Sequence, residues 1–140
     1  MEPYIIKGGV FNDERGAIYY VNDFNFHSIK RFYIIGNSEK LDTRAWQAHK
    51  IDTKNFYCIS GSFLISCVEI DDWNNPSKNL PVYQFFLKEE ESQILIIPPG
   101  YANAIKSLKP GSKLLSFSTL SISETGDDNV RFDKNMWLTD

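Results

Sequence analysis

Short apolar runs of strand length recur along the whole chain, each closed by a turn signal, and no window shows a sustained helical apolar period. That pattern points to an all-β fold. The runs are Ala17–Val21, Lys30–Ile35, Arg44–Ile51, Lys54–Ile59, Phe63–Ile70, Val82–Leu87, Gln93–Ile97, Ala102–Ser107 and Lys113–Ile122. The breaks include Gly8-Gly9, Asn12–Gly16, Gly36-Asn37-Ser38, Asn74–Ser77, Pro98-Pro99-Gly100 and Pro110-Gly111, all residues that punctuate strands. Ser60-Gly61-Ser62 reads as a hairpin turn with glycine at positive φ. Asp71 to Leu80 reads as a polar surface excursion, and Val130, Phe132, Met136 and Trp137 as a terminal segment docked back on the body. About nine strands in 140 residues must close or stack to hide their edges, as a sandwich, a jelly roll or a small barrel. The length predicts one domain, residues 1–140, able to bury a core without disulfides or a structural metal.

The net charge of -3 argues against a general nucleic-acid binder, which needs a basic surface. No apolar run is long enough for a transmembrane helix, and the first residues lack the layout of a signal peptide. Cys58 and Cys67 sit inside apolar runs without zinc-type spacing, as expected of reduced buried thiols in a cytoplasmic protein. No glycine-rich phosphate loop precedes a helix, and no G-x-S-x-G nucleophile elbow occurs.

Arg44-Ala45-Trp46-Gln47-Ala48-His49-Lys50 reads as a strand with polar, chemically capable side chains where a core strand carries aliphatics. Residues two apart share a strand face, so Gln47 and His49 point the same way. The chain has 2 histidines; His27 is expected at the surface and His49 at a site. An imidazole titrates near neutrality and is the obvious proton carrier. A glutamine amide cannot take up a proton there but can donate to a ketone or enolate oxygen.

Several segments together resemble the nucleotide-sugar branch of the cupin superfamily, the dTDP-4-keto-6-deoxyglucose 3,4-ketoisomerases and dTDP-4-dehydrorhamnose 3,5-epimerases. Asp13-Glu14-Arg15-Gly16 matches the family's Asp-x-Arg-Gly. Ser28 to Ile35 looks like the ketoisomerase strand that supplies an active-site tyrosine, here Tyr33. Arg44 to Lys50 resembles the ketoisomerase Arg-Gly-x-His-Ala-His-Lys, with Cys58 to Ser62 at the matching distance downstream. Lys54, and Val68 to Asp71 followed by Pro76-Ser77, are closer to the epimerases. Ile97 to Asn103 resembles the second cupin motif, and Asp128 to Asp133 the C-terminal signature of both groups. The place of the epimerases' acid tyrosine falls near Phe117 and Ser121.

The resemblance implies a single-domain cupin-type double-stranded β-helix, a jelly roll, acting on a nucleotide-linked 4-keto-6-deoxyhexose by proton transfer next to the ketone. Where a metal-binding cupin carries three histidines and a carboxylate, this chain has Gln47, His49, Lys54 and Asn103. Amides are poor transition-metal ligands and a lysine repels the ion, so no metal and no cofactor is expected. The resemblance assigns His49, Tyr33 and Gln47 to catalysis. It assigns Arg15, Arg44, Lys54, Asn103 and Tyr57 to substrate binding, the three cations toward a diphosphate. Asp133 either orients an active-site group or caps a terminal turn, and Lys50 adds positive potential or lies in solvent. The family also implies a homodimer that exchanges N-terminal strands. The rival expectation is a non-catalytic sugar or nucleotide-sugar binder, because Gln47 stands where the family has its base.

Overall fold

β-Branched and aromatic side chains alternating with polar ones favour pleated, half-buried strands, and the chain forms them at nearly every expected place. The computed structural model describes residues 1–36 and 42–137. Asn37 and Ser38 of one expected break lie outside them. The strands are β1 (Tyr4–Lys7), β2 (Gly9–Asp13), β3 (Gly16–Tyr20), β4 (Arg31–Gly36), β5 (Arg44–His49), β6 (Lys54–Ser60), β7 (Ser62–Glu69), β8 (Tyr83–Lys88), β9 (Gln93–Ile97), β10 (Tyr101–Ser107), β11 (Lys113–Ser118) and β12 (Val130–Arg131). Two 3-10 turns, Ile122–Glu124 and Gly126–Asp128, precede β12. None of the helices is long and apolar enough to cross a membrane.

Two five-stranded antiparallel sheets form the body, in the orders β1-β9-β6-β11-β4 and β12-β5-β10-β7-β8, and β2-β3 stands apart as a hairpin. From β4 to β11 the chain changes sheet at nearly every connection, the winding of a jelly roll. Both sheets feed one core: Phe56, Cys58, Leu95 and Leu114 from the first meet Phe63, Ile65, Leu87 and Ile105 from the second. A second cluster lies on the outer face of the second sheet. There Trp46, Ala48, Val68 and Ala102 are covered by Val130, Phe132, Met136 and Trp137, the docking expected of the C-terminal segment.

Three expectations need correction. Ser60-Gly61-Ser62 does not close a hairpin, because β6 and β7 belong to different sheets; it is the corner where the chain passes between them. Gly61 has φ 75°, and a Cβ there would collide with Ser112 Oγ. The run Lys113–Ile122 stops being a strand at Ser118. There the carboxylate of Asp52 accepts hydrogen bonds from Ser118 Oγ and from the Thr119 amide and hydroxyl, which turns the chain away. Finally, β1 and β2 form before the first expected run, β1 adding itself to the edge of β9.

Candidate active site

Strand register builds a chemical gradient across the inner face. Antiparallel partners point to the same side. Across the first sheet, Arg31 of β4, Ser118 of β11 and Lys54 of β6 therefore make one row. Tyr33, Ser116 and Phe56 make the next, and Ile35, Leu114 and Cys58 a third. The second sheet repeats the sequence, with His49 beside Tyr101, Gln47 beside Asn103 and Cys67, then Ile105 beside Ile65. The interior is polar at one end and apolar beyond it. At the polar end lies a cavity of about 280 Å³, walled by Arg31, Tyr33, Gln47, His49, Asp52 and Lys54, with Ile122, Thr125 and Asn129 of the segment before β12 across from them. This is near the lower end of ligand-site volumes, which run from about 300 Å³ upward.

His49 is buried, and its Nδ1 lies 2.7 Å from the backbone carbonyl of Asp128. A carbonyl only accepts, so Nδ1 carries the proton. Nε2 is buried with no hydrogen-bond partner among the described residues. Burial, with the nearby Lys54 cation, moves the imidazole pKa below its ordinary value, against the opposing pull of the Asp128 carbonyl and the two aspartates. His49 is thus a neutral imidazole with a fixed tautomer and a free Nε2 lone pair.

Lys54 is buried at 5% exposure. Its Nζ stands 3.0 Å from Asp52 Oδ2 and donates to Tyr33 Oη at 3.1 Å. Burial would raise the Asp52 pKa, but Lys54, Ser118 and Thr119 together hold it below the ordinary carboxylate value. Because Lys54 fills a lone pair of the Tyr33 oxygen, the phenol proton is left for another partner. Asp128 supports the opposite wall. Its carboxylate accepts the amides of Lys50, Ile51 and Asp52 at 2.7, 2.9 and 2.9 Å, pinning the turn after β5 to the segment before β12.

Of the residues singled out from the sequence, His49, Gln47, Tyr33 and Lys54 line the cavity. Asn103 is buried on the same inner face beside Gln47, without reaching the cavity wall. Three others lie elsewhere. Arg44 is exposed at the start of β5, beyond the shift in register between β5 and β10. Arg15 sits at the tip of the β2–β3 hairpin, paired with Asp13 at 2.6 Å. Tyr57 points outward, packs beside Phe24, Ile94 and Ile96, and contacts Ser92 Oγ at 3.2 Å. Asp133 accepts the Asn135 amide and caps a turn; Asp128 is the aspartate that orients His49. Lys50 is exposed over the Trp73 ring at 5.0 Å. Among the described residues no group of three histidines, cysteines or carboxylates stands together. Arg31, Asp52 and Asp128 were not singled out by sequence reasoning. Arg31 carried a signal, since it is two residues before Tyr33 and so on the same face; the two aspartates act from turns, which have no periodicity to read.

No curated protein matches the chain. Among solved structures the chain resembles a variant of the 3,4-ketoisomerase QdtA from Thermoanaerobacterium thermosaccharolyticum, in complex with TDP-4-keto-6-deoxyglucose. The TM-score is 0.71 at 24% identity, covering 94% of this chain and 88% of that one. It resembles the WlaRB TDP-quinovose 3,4-ketoisomerase from Campylobacter jejuni at TM-score 0.69 and 22% identity, over 93% and 92% of the two chains. The dTDP-4-dehydrorhamnose 3,5-epimerase from Bacillus anthracis, with TDP and PPi bound, matches at TM-score 0.75 and 16% identity, over 95% and 79%. These likenesses establish the cupin-type jelly roll. The model of the family FdtA: WxcM-like, C-terminal matches residues 1–136, and the chain belongs to that family.

Proposed function

We propose that this protein acts on a dTDP-linked 4-keto-6-deoxyhexose and moves a proton next to its ketone, as a 3,4-ketoisomerase or 3,5-epimerase does. The observation that carries the reading is the unpartnered Nε2 of a neutral His49 at the cavity wall. Nε2 takes the proton from the carbon beside the ketone, and the C–H electron pair moves onto the ketone oxygen as an enolate. The Gln47 amide donates to that oxygen. Tyr33, whose oxygen already accepts from Lys54, directs its own proton to the substrate. In ketoisomerisation the imidazolium delivers that proton to C4, while the C3 hydroxyl proton passes to the former ketone oxygen, leaving the ketone at C3. In epimerisation a proton reaches the same carbon from the opposite face, while the imidazolium releases its own to solvent. Neither route consumes a net proton. The structural relatives named for TDP-sugar isomerases and epimerases support the substrate class.

A homodimer belongs to the same proposal. The hairpin leaves Phe11, Ile18 and Tyr19 exposed, and the outer face of edge strand β4 leaves Phe32 and Ile34 exposed, apolar surface of the kind that a second copy covers.

The test is incubation with dTDP-4-keto-6-deoxyglucose in deuterated water, following C3 and C5 by NMR. Deuterium uptake by the wild type that disappears in His49→Asn is expected. Tight binding without exchange in the wild type overturns the enzyme and leaves a non-catalytic nucleotide-sugar binder.

A further inference from the structure

The charges of the cavity wall leave one side chain without a counterpart. Lys54 is neutralised by Asp52 at 3.0 Å. The Asp52 carboxylate is further occupied by Ser118 and Thr119. The Asp128 carboxylate is spent on three backbone amides of the turn after β5, and His49 presents only its Nε2 lone pair. Arg31 differs. It is half-buried on the cavity wall, yet no carboxylate of the described residues lies within ion-pair distance of it. Its position is built rather than incidental. Nε donates to the Leu120 carbonyl at 3.2 Å, and the guanidinium carbon sits 4.9 Å from the Tyr33 ring centroid. One edge of the planar group is thereby fixed, and the terminal nitrogens remain as donors. Partly desolvated cations are costly unless paired, and a pre-oriented guanidinium matches the oxygens of a phosphate or diphosphate.

We propose that Arg31 is the anion-binding residue of this cavity and receives the diphosphate of the substrate, in place of Arg15 and Arg44. The nature of the anion, a nucleoside diphosphate ester, rests on the function proposed above; the location of the anion does not. The geometry also sets the direction of entry. With Arg31 stacked beside Tyr33 and His49 on the facing sheet, a ligand anchored by its diphosphate places its sugar between the phenol and the imidazole.

Calorimetric titration of the wild type, Arg31→Met, Arg31→Lys and the exposed control Lys88→Ala with dTDP, thymidine and inorganic pyrophosphate tests this. Arg31→Met is expected to weaken dTDP and pyrophosphate roughly tenfold or more, with a shallower salt dependence, unchanged thymidine binding and an unchanged melting temperature. Arg31→Lys keeps the charge but loses the fork, and carries the same test if the methionine variant fails to fold; dTDP binding weakened roughly threefold or more is then expected. Binding of dTDP by either folded variant within about twofold of the wild type overturns the proposal, as does loss of binding in Arg44→Ala with Arg31→Met intact. A wild type that binds pyrophosphate through Arg31 but shows no preference for dTDP sustains the anchor and overturns the nucleotide-sugar reading instead. A wild type that binds neither overturns both.

Discussion

The imidazole of His49 is kept neutral by its surroundings, and this has consequences for both activity and stability. Burial and Lys54 lower its pKa below 6.5, so the base form persists below that pH. The acid limb of kcat/KM is therefore expected to fall at a pH below 6.5, and a limb at or above that value would contradict the assignment. For stability the sign follows from proton binding. Between the lowered folded pKa and the unfolded one, the unfolded chain binds more protons, so stability rises with pH across that window and is fully present above 6.5. The buried Lys54–Asp52 pair also bears on stability. Asp52→Asn leaves a buried ammonium without its counterion and is expected to cost about 3 kcal/mol in urea unfolding. At this scale the sequence already disclosed Gln47 and His49, because strand alternation is a local rule. It did not disclose Asp52, whose four hydrogen-bond and ionic partners include residues more than 60 positions away.

Strand β5 shows how one element serves two surfaces. Trp46 and Ala48 bury themselves under the C-terminal segment, while Gln47 and His49 face the interior. The alternation ends before Arg44, because the register with β10 shifts between Asn103 and Ile105, and Arg44 stands exposed at the strand's first position. The turn that follows is secured from afar by Asp128. Asp128→Ala removes the acceptor for three amides and is expected to cost about 2 kcal/mol or more, with a fall in kcat as the carbonyl facing His49 loosens. The corner at Gly61 is equally specific. A side chain there adds strain at φ 75° and collides with Ser112, so Gly61→Ala is expected to destabilise by at least about 1 kcal/mol, read as a lowered melting temperature. Nine of the strands were legible as apolar runs, with bounds shifted by a residue or a few. β12 was not, since two residues carry no period.

For the whole molecule, the two sheets close over a core that is apolar at one end and polar at the other, and Phe11 and Tyr19 of the hairpin and Phe32 of β4 are among the aromatics exposed outside it. Light scattering is expected to give twice the chain mass of 16.1 kDa, and Phe32→Glu with Ile34→Glu is expected to halve it. A wild type of single-chain mass would sink the dimer. What the amino-acid order settled alone was the class of fold, the strand that carries Gln47 and His49, and the family resemblance, because alternation, turn residues and motif spacing are short-range. Only the tertiary structure decided which cations face the cavity and which charges are already spent. Arg15, Arg31, Arg44 and Lys54 are equivalent as letters. Register, sheet crossing and distant aspartates place Arg31 on the cavity wall, pair Lys54 with Asp52, and send the other two to the surface.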